Sequence, residues 1–165
     1  QVAIKFTDPG EDGTVVFENN IVNYGRYENV SVYGYAKVLV RNNRFLMSNK
    51  AITVRDYAAV RMEHNDIQDA NTAVELNGTA QADLGGGSVD IDGDTTPSVG
   101  LNIIKAKQPL KSLVNNTAAT VKAEHNQWNH LTVADVLAND ITGLVDVDPL
   151  AEPNTAGTIP PVGPQ

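Results

Sequence analysis

The sequence predicts an all-β chain: a right-handed, single-stranded parallel β-helix, or solenoid, of about five coils with a short helix capping its C-terminal end. Three observations predict it. The chain overlays itself at a shift of 22 residues, alternate positions within each repeat are apolar, and asparagine and glycine recur where a coil has to turn. Zero cysteines exclude disulfide and thiolate chemistry. The formal charge of -8 disfavours nucleic acid and anionic membrane surfaces as partners, because both select a basic face. No apolar run approaches the roughly eighteen residues of a membrane span, and the first residues lack the layout of a signal peptide, so a soluble, processed segment is expected.

Residues 1–14 read as a strand, QVAIKF, followed by a lead-in, TDPGEDG. No amphipathic helix precedes the coils, so this end is expected to stack on further coils of a longer parent or, head to tail, on another subunit. The coils proper occupy residues 15–128. VVFENNIV from Val15 overlays VLVRNNRF from Val38, and VSVYGYAKVLV from Val30 overlays ITVRDYAAVRM from Ile52 and VELNGTAQADL from Val74. Val32, Val54 and Leu76 then share one position, Val40, Met62 and Leu84 another, and Phe45, Ile67 and Val89 a third. Asn20, Asn43, Asn65 and Asn126 form a column, with Gly87 in the remaining coil. Asparagine tolerates the left-handed conformation of a tight corner, and its amide can bond along the stack, so this column reads as architecture.

From Gly87 to Asn126 the spacing is 39 residues, too long for one coil, which predicts an insertion at about 90–111 with a strand around Val99 to Ile104. Residues 129–150 follow as a cap: Thr132 can begin a short helix carrying Val133, Val136 and Leu137, Gly143 ends it, and Leu144 to Leu150 alternate like a strand. Residues 151–165 form a Pro-rich tail.

These coils, with their aligned asparagines and the segments ADLGGGS from Ala82, Leu101-Asn102-Ile103 and AEHNQW from Ala123, resemble the parallel β-helix repeats of the pectate-lyase-like superfamily. The likeness runs from about Val15 to Trp128 and is nearest to the last coils of microbial surface β-helix domains. It implies an extracellular or cell-surface setting. It does not select an activity, since lyases, hydrolases, adhesins, tailspikes and structural modules share the coil. The Asn-Thr-Asp, paired-Asp, Gly-His-Gly and Arg-Ile-Lys motifs of the hydrolases do not occur in this chain.

Several residues nevertheless invite chemistry. Asp90, Asp92 and Asp94 repeat the first three ligand positions of a calcium loop, so Ca2+ is the cofactor to test, although Thr95 and Leu101 stand where the helix-loop-helix motif needs Gly and Glu. His64 and His125 share a repeat position, beside Asn42 and Gly86, on coils that are not adjacent. Corner residues explain them better than a shared metal does. Arg41, Arg55 and Arg61 cluster in consecutive coils and could face acidic sugars or one another's carboxylate neighbours. Tyr35 and Tyr57 are repeat equivalents, and an exposed aromatic ladder is a platform for sugar rings.

The expected function is therefore a non-catalytic structural or adhesive module, stacking through its coil ends as a surface or filament subunit. The alternative is the C-terminal part of a polysaccharide-binding or lyase-like protein whose essential parts lie outside this chain.

Overall fold

The computed structural model describes residues 4–6 and 14–152, with Ile4 described for its backbone alone. The lead-in at 7–13 and the tail beyond Glu152 lie outside the described residues. The chain is a parallel β-solenoid of three sheets; each of the first four coils gives one strand to every sheet, and the last two coils give strands to two sheets only. The first coil holds β1 (Ile4–Phe6), β2 (Val15–Glu18) and β3 (Ile21–Asn23). The second holds β4 (Glu28–Val32), β5 (Lys37–Arg41) and β6 (Arg44–Leu46), and the third β7 (Lys50–Val54), β8 (Ala59–Glu63) and β9 (Asp66–Ala70). The fourth holds β10 (Thr72–Leu76), β11 (Gln81–Gly85) and β12 (Ile103–Ala106). β13 (Leu113–Asn115) and β14 (Val121–Ala123) belong to the fifth coil, β15 (Ile141–Thr142) and β16 (Val145–Asp146) to the last.

The 22-residue register is the pairing register. Val32 lies beside Val54 and Val54 beside Leu76, while Val38 pairs with Val60 and Val60 with Ala82. Period-2 alternation sends Val30, Val32, Val38, Val40 and their equivalents inward, where they are fully buried. Small residues at the corners, Ala36, Ala58 and Ala80, let the sheets converge. Phe17 lies between Phe6 and Phe45, with ring centroids 5.6 and 6.3 Å away, and the three fill the core towards the N-terminal end.

Six rungs are present in two of the sheets, one more than the repeat alone suggests. β1 pairs in register with β4, and β15 and β16 add a final rung of two-residue strands too short to carry a visible pattern. The insertion also moves. It occupies 86–101 within the fourth coil rather than about 90–111, because Asn102 takes the place expected of Gly87 and Ile104, paired with Ile67, the place expected of Val89. The strand expected around Val99 to Ile104 is β12, the regular third side of that coil.

The cap forms as one turn of α-helix, α1 (Val133–Asp135), running into a π-helical turn at Val136–Asp140. Thr132 Oγ1 accepts the Asp135 N–H at 3.1 Å, the expected cap. Val136 is fully buried, but Leu137, expected inward, is 43% exposed. The wider π turn rotates successive residues by less than the α period, which carries Leu137 off the packed face. No helix among the described residues is long and apolar enough to cross a membrane.

Candidate functional site

The asparagine column is a continuous internal ladder. Asn43 Oδ1 accepts the backbone N–H and the side-chain amide of Asn20, at 3.0 and 3.1 Å. Asn65 does the same for Asn43, Asn102 for Asn65 and Asn126 for Asn102, the last two pairs at 2.9 Å. From Asn43 onward these side chains are fully buried, so the column carries backbone satisfaction rather than chemistry. The left-handed conformation falls on the residue before each ladder asparagine: Asn19, Asn42, His64, Leu101 and His125 all have φ between 53° and 59°. His64 and His125 are thus corner residues. Leu101, not Gly86, stands between them, and two rung spacings, roughly 10 Å, separate them.

The inserted segment is held by its own charges. Arg61, 4% exposed, donates to Asp94 Oδ2 at 2.7 Å, to the Asp94 carbonyl at 2.6 Å and to the Val89 carbonyl at 3.1 Å. Asp90 pairs with Lys37 at 3.0 Å and accepts the Gly93 N–H. Asp92, at φ 56°, makes the turn between them. Among the described residues no group of three or more His, Cys, Asp or Glu side chains is placed to hold a metal ion, and the Asp90, Asp92 and Asp94 carboxylates do not converge.

Hydrogen bonds from the Thr96 side chain and backbone, then from Arg61, hold Asp94 at about 2, against an ordinary value of 3.8. A depressed folded-state value means the contact is complete above the ordinary range and is lost only as pH falls through about 2. A carboxylate-detected NMR titration should place Asp94 near pH 2, and Arg61→Met should move it up towards the ordinary value. An ordinary midpoint in the wild-type protein would refute the contact.

Arg41 and Arg55 do not converge on a ligand site with Arg61. Arg41 pairs with Glu18 at 2.6 Å. Arg55 pairs with Glu28 at 3.0 Å, bonds Ser31 at 2.7 Å and lies over the Tyr33 ring. Arg41 and Arg55 are thus spent on neighbouring rungs and Arg61 on the insertion. The tyrosines differ. Tyr35 and Tyr57 each follow a corner residue with positive φ, Gly34 and Asp56, which turns their side chains outward. Their rings stack 5.0 Å apart at an interplanar angle of 5°, and both residues are more than 60% exposed. Thr79 continues the position on the next rung, so the aromatic ladder ends at Tyr57 and leaves its outer face open.

A second site lies at the C-terminal end, where a cavity of about 300 Å³ is bounded by Lys105, Trp128, His130, Leu131, Leu150 and Glu152 among others. β12 supplies Lys105, and the segment between the fifth coil and α1 supplies Trp128, His130 and Leu131. His130 Nδ1 is 3.0 Å from Oδ2 of Asp140, a fully buried carboxylate at the end of the π turn. Asp140 also accepts the His130 backbone N–H at 3.2 Å and the Asn129 and Gln108 side chains at 3.3 Å. Asp140 accepts, so Nδ1 carries a proton and Nε2 is the ring nitrogen left for the cavity. Lys105 has no carboxylate within ion-pair distance among the described residues, unlike Lys37, Arg41, Arg44, Lys50, Arg55, Arg61 and Lys122. The Trp128 Nε1–H is buried without an acceptor. Sequence reasoning missed this site because its parts are 45 residues apart and the cap residues among them, His130, Leu131, Asp140 and Leu150, fall in no repeat column, although Trp128 overlays Ile67 and Lys105 lies in register with Gln68; the isolated Trp-Asn-His beyond the last asparagine was the available signal.

No family model, curated protein or solved structure matches this chain. The solenoid is established by its own strand pairing.

Proposed function

We propose that the chain is a non-catalytic structural or adhesive module acting outside the cell, and that it stacks through its coil ends as a surface or filament subunit. The parallel coils and inward asparagine ladder support kinship with the pectate-lyase-like superfamily. One observation carries the functional reading: among the described residues the first rung is bonded on one side only. β1, β2 and β3 each pair with the following coil, and the core residues behind them, Phe6, Val15, Phe17 and Val22, are only half-buried. Val16 and Ile21 beside that edge are 47% and 56% exposed. At the other end β15 and β16 likewise pair on one side, with Leu144 exposed. Two such ends offer N–H and C=O groups without partners among the described residues at the spacing of the next rung, so head-to-tail addition of a second copy extends the two six-stranded sheets. Light scattering and electron microscopy across a wide concentration range should reveal end-to-end oligomers that Ile21→Lys and Val16→Lys abolish. Compact monomers at every concentration would remove the stacking model.

A second reading, saccharide binding, is favoured by the parallel Tyr35–Tyr57 stack, which presents the outer face of Tyr57 over the small Thr79. A glycan array should then show binding that Tyr57→Ala removes and Tyr35→Ala weakens. Binding indifferent to both changes would exclude this corner.

A further inference from the structure

We propose that the C-terminal cavity is a binding site for a small hydroxy acid with a compact apolar face. Three features select that chemistry. Lys105 is a half-buried cation with no carboxylate within ion-pair distance among the described residues, although Glu152 borders the same cavity, in a chain of net charge -8 where seven of the other eleven Lys and Arg side chains are paired with carboxylates. A ligand carboxylate is its natural complement. His130, oriented through Nδ1 by Asp140, presents Nε2 as a hydrogen-bond acceptor when the ring is neutral, so the ligand must bring a donor, and a hydroxyl beside the carboxylate supplies it. Leu131, 82% exposed, together with Leu150 and the edge of Trp128, gives the wall against which an apolar group loses water.

The built character of the site comes from Asp140. A fully buried carboxylate accepting from His130 twice, from Asn129 and from Gln108 is fixed by four donor contacts, and it fixes the imidazole in turn. A surface histidine with no task needs no such anchor. A cavity of about 300 Å³ lies at the lower end of the range of small-molecule pockets, so the ligand is compact rather than an oligomer.

Trp128 is the only tryptophan in the chain, so binding is readable in the intact protein by its fluorescence. Mandelate supplies a carboxylate, a hydroxyl and an apolar ring; phenylacetate lacks the hydroxyl and mandelamide lacks the charge. Mandelate should produce a saturable change, phenylacetate should bind several-fold more weakly, and mandelamide at least tenfold more weakly. Lys105→Met should cost at least tenfold in mandelate affinity, with Lys105→Arg restoring most of it, and Leu131→Glu at the rim should weaken binding without altering the circular dichroism of the fold. Absence of a saturable response to mandelate, equal binding of mandelamide, or indifference to Lys105→Met would each overturn the proposal.

Discussion

Asn65→Ala should destabilise the protein by about 3–5 kcal/mol, the sum of two or three buried groups left without partners. The Asn65 side chain donates to the Val40 carbonyl at 2.9 Å and to Asn102 Oδ1 at 2.9 Å, and its own Oδ1 accepts twice from Asn43 at 3.1 Å. Alanine leaves the Asn43 backbone N–H, its amide hydrogen and the Val40 carbonyl facing a small buried gap. Water cannot reach them, because Asn43 and Asn65 are fully buried. For a chain of this size the loss corresponds to roughly 10 °C in melting temperature. Asn20→Ala makes the internal control. Asn20 stands at the exposed end of the ladder and only donates to it, so its loss should cost about 1 kcal/mol. Urea unfolding of both variants decides the matter: equal losses would mean that the ladder is not a cooperative internal element.

The contrast between those two positions also indicates what could be read from the sequence. The ladder was visible because each coil repeats one polar residue at one position, and a repeating polar residue among buried alternating ones has to bond to its own kind. The coil count and the insertion were harder to read. A glycine triplet at Gly85, Gly86 and Gly87 mimics a corner at the expected spacing, whereas the true corner, Leu101, has a residue type that rarely adopts positive φ. Asn102, one position later, carries the ladder across the detour. The ion pair of Arg41 follows directly from the register, since Glu18 lies beside it, whereas Arg55 reaches Glu28, whose in-register neighbour is Lys50. The His130 cavity stayed invisible for the opposite reason: β12, the Trp128 segment and Asp140 meet only because the cap folds back over the last regular coil, and no periodicity encodes that return.

Residues that look chemical along this chain therefore divide by position. Charges on the coil sides are matched to the adjacent rung, because parallel in-register strands place equivalent positions one rung apart and like charges in a column would repel. Charges at the cap escape that constraint. Lys105, one of five cations with no carboxylate partner among the described residues, borders the cap, while Arg61, in mid-solenoid, is nearly enclosed by the insertion it anchors.

The same logic gives a large effect at Asp83. Its carboxylate is fully buried and accepts the Gly85 N–H at 2.9 Å, the Gly87 N–H at 3.0 Å and the Ser98 N–H at 2.8 Å. These three bonds close both ends of the inserted loop onto the coil. Arg61 lies opposite Asp83 on the neighbouring strand, while its guanidinium pairs with Asp94. Asp83→Ala should cost about 3 kcal/mol by leaving three donors unmet and Arg61 without its neighbour. Asp83→Asn should cost less, about 1–2 kcal/mol, because its one oxygen can retain the two glycine bonds while its amide hydrogens confront Ser98. Limited proteolysis separates loop release from global unfolding. Cleavage of Asp83→Ala should begin within 86–101 while the rest of the solenoid stays protected, since Asn102 remains tied to Asn65 and Asn126 by the ladder. Cleavage spread evenly along the chain, or stability equal to wild type, would show that the carboxylate does not anchor the loop.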